Sequence, residues 1–381
     1  MNRIIKSAAL LGVCLLSSPV LAQANRPQTP TEPYPYRVET ATVPGLDMAD
    51  HTLGATITLP DSTLWGDGPY PGVVLVTGSG PQDRDETIFL HKPFMVLADH
   101  LTRRGIVVLR YDDRGVGAST GSFVGTPVTG LAADAEAAWR FLRDHDSTDP
   151  ARVGIAGHSE GGLIAPMVAS ENGDVAFLVL LAGTGVPGSD ILLYQAKLMY
   201  EAGGLEPEWI EQSQANRAAV FDLVKAGAGN EEILEGVIVV LTHEMAHMKD
   251  PADIRRVAAQ VLPQFAGPWA REFATLDPRD YLSAVRVPVL ALNGTLDTQV
   301  TIEQNLQAME IALNEGPCPS FTSVRLKGLN HLFQPAVTGM LGEYATIETT
   351  FDEHALGVVS GWIGATTGVG ASKNEAVPGS D

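Results

Sequence analysis

Cysteine is nearly absent: among 381 residues there are only Cys14 and Cys318. Cys14 lies in an N-terminal stretch where Arg3 and Lys6 precede the apolar run AALLGVCLL and the sequence then reaches Ala22-Gln23-Ala24, the layout of a cleaved export signal. The run is shorter than the ~20 residues needed to span a bilayer, and Val13 is bulky where lipid attachment to Cys14 would want a small residue. Removal of residues 1–24 leaves Cys318 alone, which excludes an intramolecular disulfide even in the secreted or periplasmic setting the signal implies. Stability must therefore come from the core, for which 45% apolar residues suffice. Positive charge is also scarce: 25 Lys and Arg face 45 Asp and Glu, and removing Arg3 and Lys6 makes the imbalance larger. That balance argues against nucleic acid or an anionic membrane as partner. No later stretch is long and apolar enough for stable membrane insertion, and no internal repeat is present. Oligomeric state is not encoded in any feature of the sequence.

After a proline-rich leader at 25–36 (NRPQTPTEPYPY), strand-like and helix-like patterns alternate. Short Val/Ile/Leu-rich runs occur at 72–78, 105–112, 152–157, 176–183, 287–294 and 323–328; helical periodicity occurs at 92–105, 131–145, 161–170 and 301–313. Continuous apolar strands alternating with helices specify an α/β fold, a mostly parallel sheet flanked by helices. The earlier runs RVETATV and HTLGATITLP alternate in polarity, as antiparallel edge strands do. Between 186 and 275 only helical patterns occur, which predicts a helical cap insertion. An insertion at the carboxyl end of a sheet would overhang the crevice where such folds bind ligands. The expected organisation is a core of 37–185 and 276–368, the cap at 186–275 and a flexible tail at 369–381.

Between a strand pattern and a helix pattern lies GHSEGG, residues 157–162. This fits Gly-x-Ser-x-Gly, in which small residues permit a sharp turn that presents Ser159 at a helix amino end, where backbone N–H groups favour an oxyanion. A capping serine in an ordinary strand-to-helix loop is the simpler alternative. A nucleophilic serine needs a base and a carboxylate to orient it, in the chain order serine, acid, histidine for this topology. Asp297, just past the strand run VPVLALNG, is the candidate acid, against an Asx turn as the plain reading. His331, in the loop KGLNHLF after a strand run, is the candidate base. His243 and His247 belong to the insertion and His354 to a helical stretch. The loop TGSGPQDRDE (77–86) is placed to give one oxyanion donor, the Ser79 N–H, and the Glu160 N–H would be the other. Asp112, Asp113 and Arg114, with Asp83, Arg84 and Asp85, read as ion pairs that hold loops.

The segments TGSGPQDRDE, HKPFMVLADHL, RYDDRGVGAST, GHSEGG, NGTLDTQV and GLNHLF, taken together, resemble the bacterial serine esterases of the α/β-hydrolase superfamily, the serine aminopeptidase-like group. The resemblance runs over about residues 70–335, interrupted by the insertion. It implies Ser159 as nucleophile, Asp297 as acid, His331 as base and Ser79 with Glu160 as oxyanion donors. It further implies a small-molecule ester substrate and no cofactor or metal, with amide or aminopeptide hydrolysis by the same residues as the alternative. Thr77 stands where many members have a histidine.

The insertion holds one competing motif, His243-Glu244-Met245-Ala246-His247, which matches HExxH. On a helix both imidazoles would share a face and Glu244 could activate a zinc-bound water. Asp253 or Glu272 could serve as third ligand, but no third histidine follows, and an exposed helix face lining the cap is the preferred reading.

Overall fold

A computed structural model describes residues 25–46, 50–248 and 250–369, so the expected export signal at 1–24 and nearly all of the expected tail lie outside the described residues. Among the described residues there are eight strands: β1 Arg37–Pro44, β2 Thr52–Leu59, β3 Tyr70–Val76, β4 Val107–Tyr111, β5 Thr148–His158, β6 Leu178–Leu181, β7 Val289–Gly294 and β8 Phe321–Leu326. They form one sheet in the order β1-β2-β4-β3-β5-β6-β7-β8. Only β2 runs against the rest, paired antiparallel with β1 and β4. The fold expected from the alternating pattern is the one observed.

Burial explains the composition of the strands. Every residue of β3, β4, β6 and β7 is buried, because helices cover both faces, so these strands carry no polar alternation. Edge strand β1 is largely exposed and edge strand β8 mostly half-buried, and they carry Arg37, Glu39 and Arg325, charges that discourage pairing with another chain. Helix α1 (Pro93–Thr102) lays Phe94, Leu97 and Leu101 into a core shared with Val73, Val108, Val179 and Leu292 of the sheet. Trp139 of α2 (Val128–Arg143) is fully buried, and its indole N–H donates to the Val153 carbonyl at 2.9 Å. Fully burying such side chains contributes roughly 1.5–3 kcal/mol each. From β3 the chain crosses to β4 on one side and then to β5 on the other. The connection direction therefore reverses between β3 and β5, and loops leaving their carboxyl ends part to leave a crevice.

The expected leader is a run of turns and bends stitched down by side chains. Arg26 donates to the carbonyls of Phe89, Ala345 and Ile347, and the Gln28 side chain exchanges hydrogen bonds with the backbone of Thr350 and Phe351.

Residues 125–128 and 186–277 form a separate compact unit. Its helices include α4 (Gly188–Ala202), α5 (Pro207–Lys225), α6 (Asn230–Glu244), α7 (Pro251–Val261) and α8 (Pro268–Thr275). They close on a core of their own in which Val220, Phe221, Ile233, Val237, Leu241 and Ala258 meet.

Candidate active site

The turn after β5 is forced by close backbone approach. A Cβ on Gly157 would lie 1.9 Å from the Gly161 carbonyl oxygen, and one on Gly161 would lie 2.3 Å from that of Val76. Only hydrogen fits at either place. Between them Ser159 takes φ 55°, a left-handed conformation that costs a residue with a Cβ roughly 1–2 kcal/mol. Its N–H donates to Leu181 O at 2.9 Å and its carbonyl accepts from Gly162 N. Helix α3 (Gly161–Glu171) starts immediately afterwards. The Ser159 side chain is partly exposed, whereas Glu160 beside it is buried.

Asp297 and His331, both buried, are brought together from the ends of β7 and β8, with His331 Nδ1 2.8 Å from Asp297 Oδ2. The other carboxylate oxygen accepts the N–H groups of Gln299 and Val300 at 2.8 and 2.9 Å. One oxygen thus closes the Asx turn of the plain reading while the other meets the His331 ring. The loop that carries His331 is fixed by Asn330, whose side-chain oxygen accepts from Leu332 N and Gln334 N. His354 stands exposed at the start of helix α10 (Glu353–Thr367), which follows α9 (Gln307–Glu315).

The loop after β3 is held by carboxylates. Gln82 N–H donates to Asp113 at 2.9 Å, and the Thr77 hydroxyl is 3.4 Å from the same group. Asp83 caps Asp85 N and Thr87 N. Arg84 forks onto Asp112, while Arg110 and Lys92 both reach Asp85. Arg114 pairs with Asp134 instead. The expected ion pairs form at Arg84, Asp85, Asp112 and Arg114, whereas Asp83 and Asp113 hold the loop by accepting backbone N–H groups instead. Burial, reinforced by the nearby Glu160 and Asp134 carboxylates against the Gln82 N–H, pushes Asp113 up to about 8. Ser79 is partly exposed in this loop, and its carbonyl accepts from the Gln82 amide. A Cβ on the adjoining Gly78 would come 3.2 Å from the Ser159 Cβ, which puts this loop directly against the Ser159 turn.

Two residues escaped the sequence reading. Glu86 accepts the Gly78 N–H at 2.7 Å, and the same oxygen is 2.8 Å from His158 Nδ1. His158 Nε2 faces the His331 carbonyl at 3.0 Å. The histidine inside GHSEGG was the available signal, but no pattern of spacing ties it to a glutamate 72 positions earlier.

The HExxH stretch departs from expectation. Helix α6 ends at Glu244, and His247 lies in the turn beyond, so the two histidines share no helix face. His243 is partly exposed and His247 exposed, whereas the residue after His243 points inward. Glu244 is buried and accepts from Arg217, Tyr200 and Ser213 at 2.6–2.8 Å, which commits the carboxylate that would have activated a water. His243 stacks on Trp209 and contacts its carbonyl. Among the described residues no group of three or more His, Cys, Asp or Glu side chains could hold a metal ion.

Comparison with known proteins adds four findings. The family described as serine aminopeptidase, S33 matches residues 92–316, more than half of the chain. The esterase EstD of Thermotoga maritima is 34% identical over 157 residues, a match spanning 41% of this chain and 36% of that relative. Among solved structures, the esterase Pf2001 of Pyrococcus furiosus superposes with a TM-score of 0.50 at 15% identity, covering 91% of this chain and 98% of its own. The α/β hydrolase GrgF of Penicillium sp. sh18 gives a TM-score of 0.51 at 16% identity, covering 87% and 99%. At these identities the structural likeness speaks for the fold alone.

Proposed function

Because this chain belongs to the serine aminopeptidase S33 family and has an α/β-hydrolase fold, we propose that it is a serine carboxylesterase acting through an acyl-enzyme. Ser159 attacks the ester carbonyl, His331 takes its proton through Nε2, and Asp297 holds the tautomer with Nδ1–H and stabilises the imidazolium. The observation that carries this reading is a serine strained at a strand-to-helix turn together with the buried Asp297–His331 hydrogen bond of 2.8 Å. A left-handed serine at such a turn supports a positioned group. The Ser79 and Glu160 N–H groups stabilise the oxyanion; Gly78 N–H is taken by Glu86, so the next amide in the loop is the candidate. His331 then protonates the alcohol, and water hydrolyses the acyl-enzyme by the same route in reverse. The esterase name of the Thermotoga relative favours a small-molecule ester over an aminoacyl amide as substrate. The basic and apolar N-terminal stretch supports an exported, secreted or periplasmic protein.

A panel of acyl nitrophenyl esters and aminoacyl anilides, run on wild type and Ser159→Ala, tests the proposal. Esters should be turned over faster than anilides, and Ser159→Ala should lose at least ~10³-fold in kcat. A variant as active as wild type defeats the serine mechanism, and a preference for anilides defeats the esterase assignment.

A further inference from the structure

Two buried side chains at the site take no part in this acyl-transfer scheme. Glu86 ends the loop after β3 and His158 ends β5; they are 4% and 5% exposed. The His158 ring lies between the Glu86 carboxylate and the His331 carbonyl, at 2.8 and 3.0 Å, and its centroid is 4.6 Å from that of the His331 ring. A carbonyl oxygen can only accept, and so can an ionised carboxylate; the arrangement is satisfied when His158 donates from both nitrogens. Glu86 sits at φ 53°, a left-handed conformation unusual for a residue with a Cβ, and it is pinned there by the two donors its Oε1 receives.

Resting on the esterase reading, we infer that Glu86 and His158 are positioning residues, an imidazolium–carboxylate pair that locks three loops to one another. Through Gly78 the pair holds the oxyanion loop. Through the peptide bond to Ser159 it holds the nucleophile turn, and through the His331 carbonyl it holds the base loop. The titratable groups facing His158 are Glu86, His331 and Asp297. Burial, the largest single influence, works to strip the charge from the ring, yet the Glu86 carboxylate, the His331 carbonyl and Asp297 together outweigh it and hold the His158 pKa above the ordinary histidine value.

The test compares wild type, Glu86→Gln, His158→Gln and the double variant, with active sites counted by complete organophosphonate labelling. Positioning predicts that kcat per labelled site falls ~10- to 100-fold while KM for a short ester changes little, since misplacing reacting groups by a fraction of an ångström harms the transition state more than binding. Both changes break one link, so the double variant should be no slower than the slower single variant. A kcat per site within twofold of wild type, with only the labelled fraction and Tm reduced, would show a merely structural pair and overturn the inference. Failure of wild type to label at all would instead defeat the acyl-enzyme reading. Nitrogen NMR of the histidine rings gives an answer that needs no variant to fold: wild-type His158 should carry both ring protons at pH 7. A singly protonated ring there overturns the inference.

Discussion

Asp297 does two jobs with two oxygens, and substitution can separate them. One oxygen closes the turn through Gln299 and Val300 N–H, and the other faces His331 Nδ1. Asp297→Asn keeps an acceptor for the turn but presents an amide to the imidazole, which favours the wrong tautomer. We expect Asp297→Asn to lose about 10⁴-fold in kcat with its Tm nearly unchanged. Asp297→Ala should lose similar activity and also about 1–3 kcal/mol of stability, because the buried Val300 amide and the partly buried Gln299 amide lose their acceptor. Steady-state kinetics beside thermal melts of both variants decide this; an Asp297→Asn enzyme within tenfold of wild type would remove the orienting role.

At the scale of an element, α6 shows how a motif can match in letters and differ in physics. Its terminal Glu244 neutralises a buried Arg217 guanidinium between α4, α5 and α6. Removing one partner of a buried pair leaves the other charge without compensation, a cost of about 3–5 kcal/mol. Glu244→Ala should therefore speed amide exchange across residues 186–277, read by mass spectrometry, while a chelator leaves wild-type esterase activity intact. Unchanged exchange in Glu244→Ala would mean the pair contributes nothing to that unit, and chelator-sensitive activity would reinstate a metal.

For the whole molecule, four buried titratable groups shape stability against pH. Burial, with Arg26 and Arg104 nearby, lowers His91 and His100 to about 4. Between that value and about 6.5, the unfolded rings hold protons that the folded rings refuse, so stability falls on acidification through this window. Asp113, raised to about 8, acts oppositely: the folded carboxyl keeps a proton that the unfolded one loses near 4, so its effect lowers stability as pH rises toward 8. His158, raised by Glu86, contributes stability that is fully present below about 6.5 and is lost as pH rises through its folded pKa. Two groups outweigh one below about 6.5, and both remaining groups pull the same way above it. Tm should accordingly peak near pH ~6.5 and fall toward 4.5 and 8.5, as calorimetry across that range would show. A Tm that rises steadily from 4.5 to 8.5 would contradict these assignments.

Local physics wrote much of this protein into its sequence. Buried parallel strands need unbroken apolar runs, edge strands need polar alternation, and the left-handed Ser159 turn needs glycines at 157 and 161, so the sheet and the nucleophile turn were legible residue by residue. The Asp297 and His331 candidates followed from chain order and strand ends, though only folding brought them within 2.8 Å. The Glu86–His158 link and the Arg217–Glu244 pair were invisible beforehand. Each joins residues far apart in the chain, and a charge becomes buried, paired or committed only when packing has removed its water.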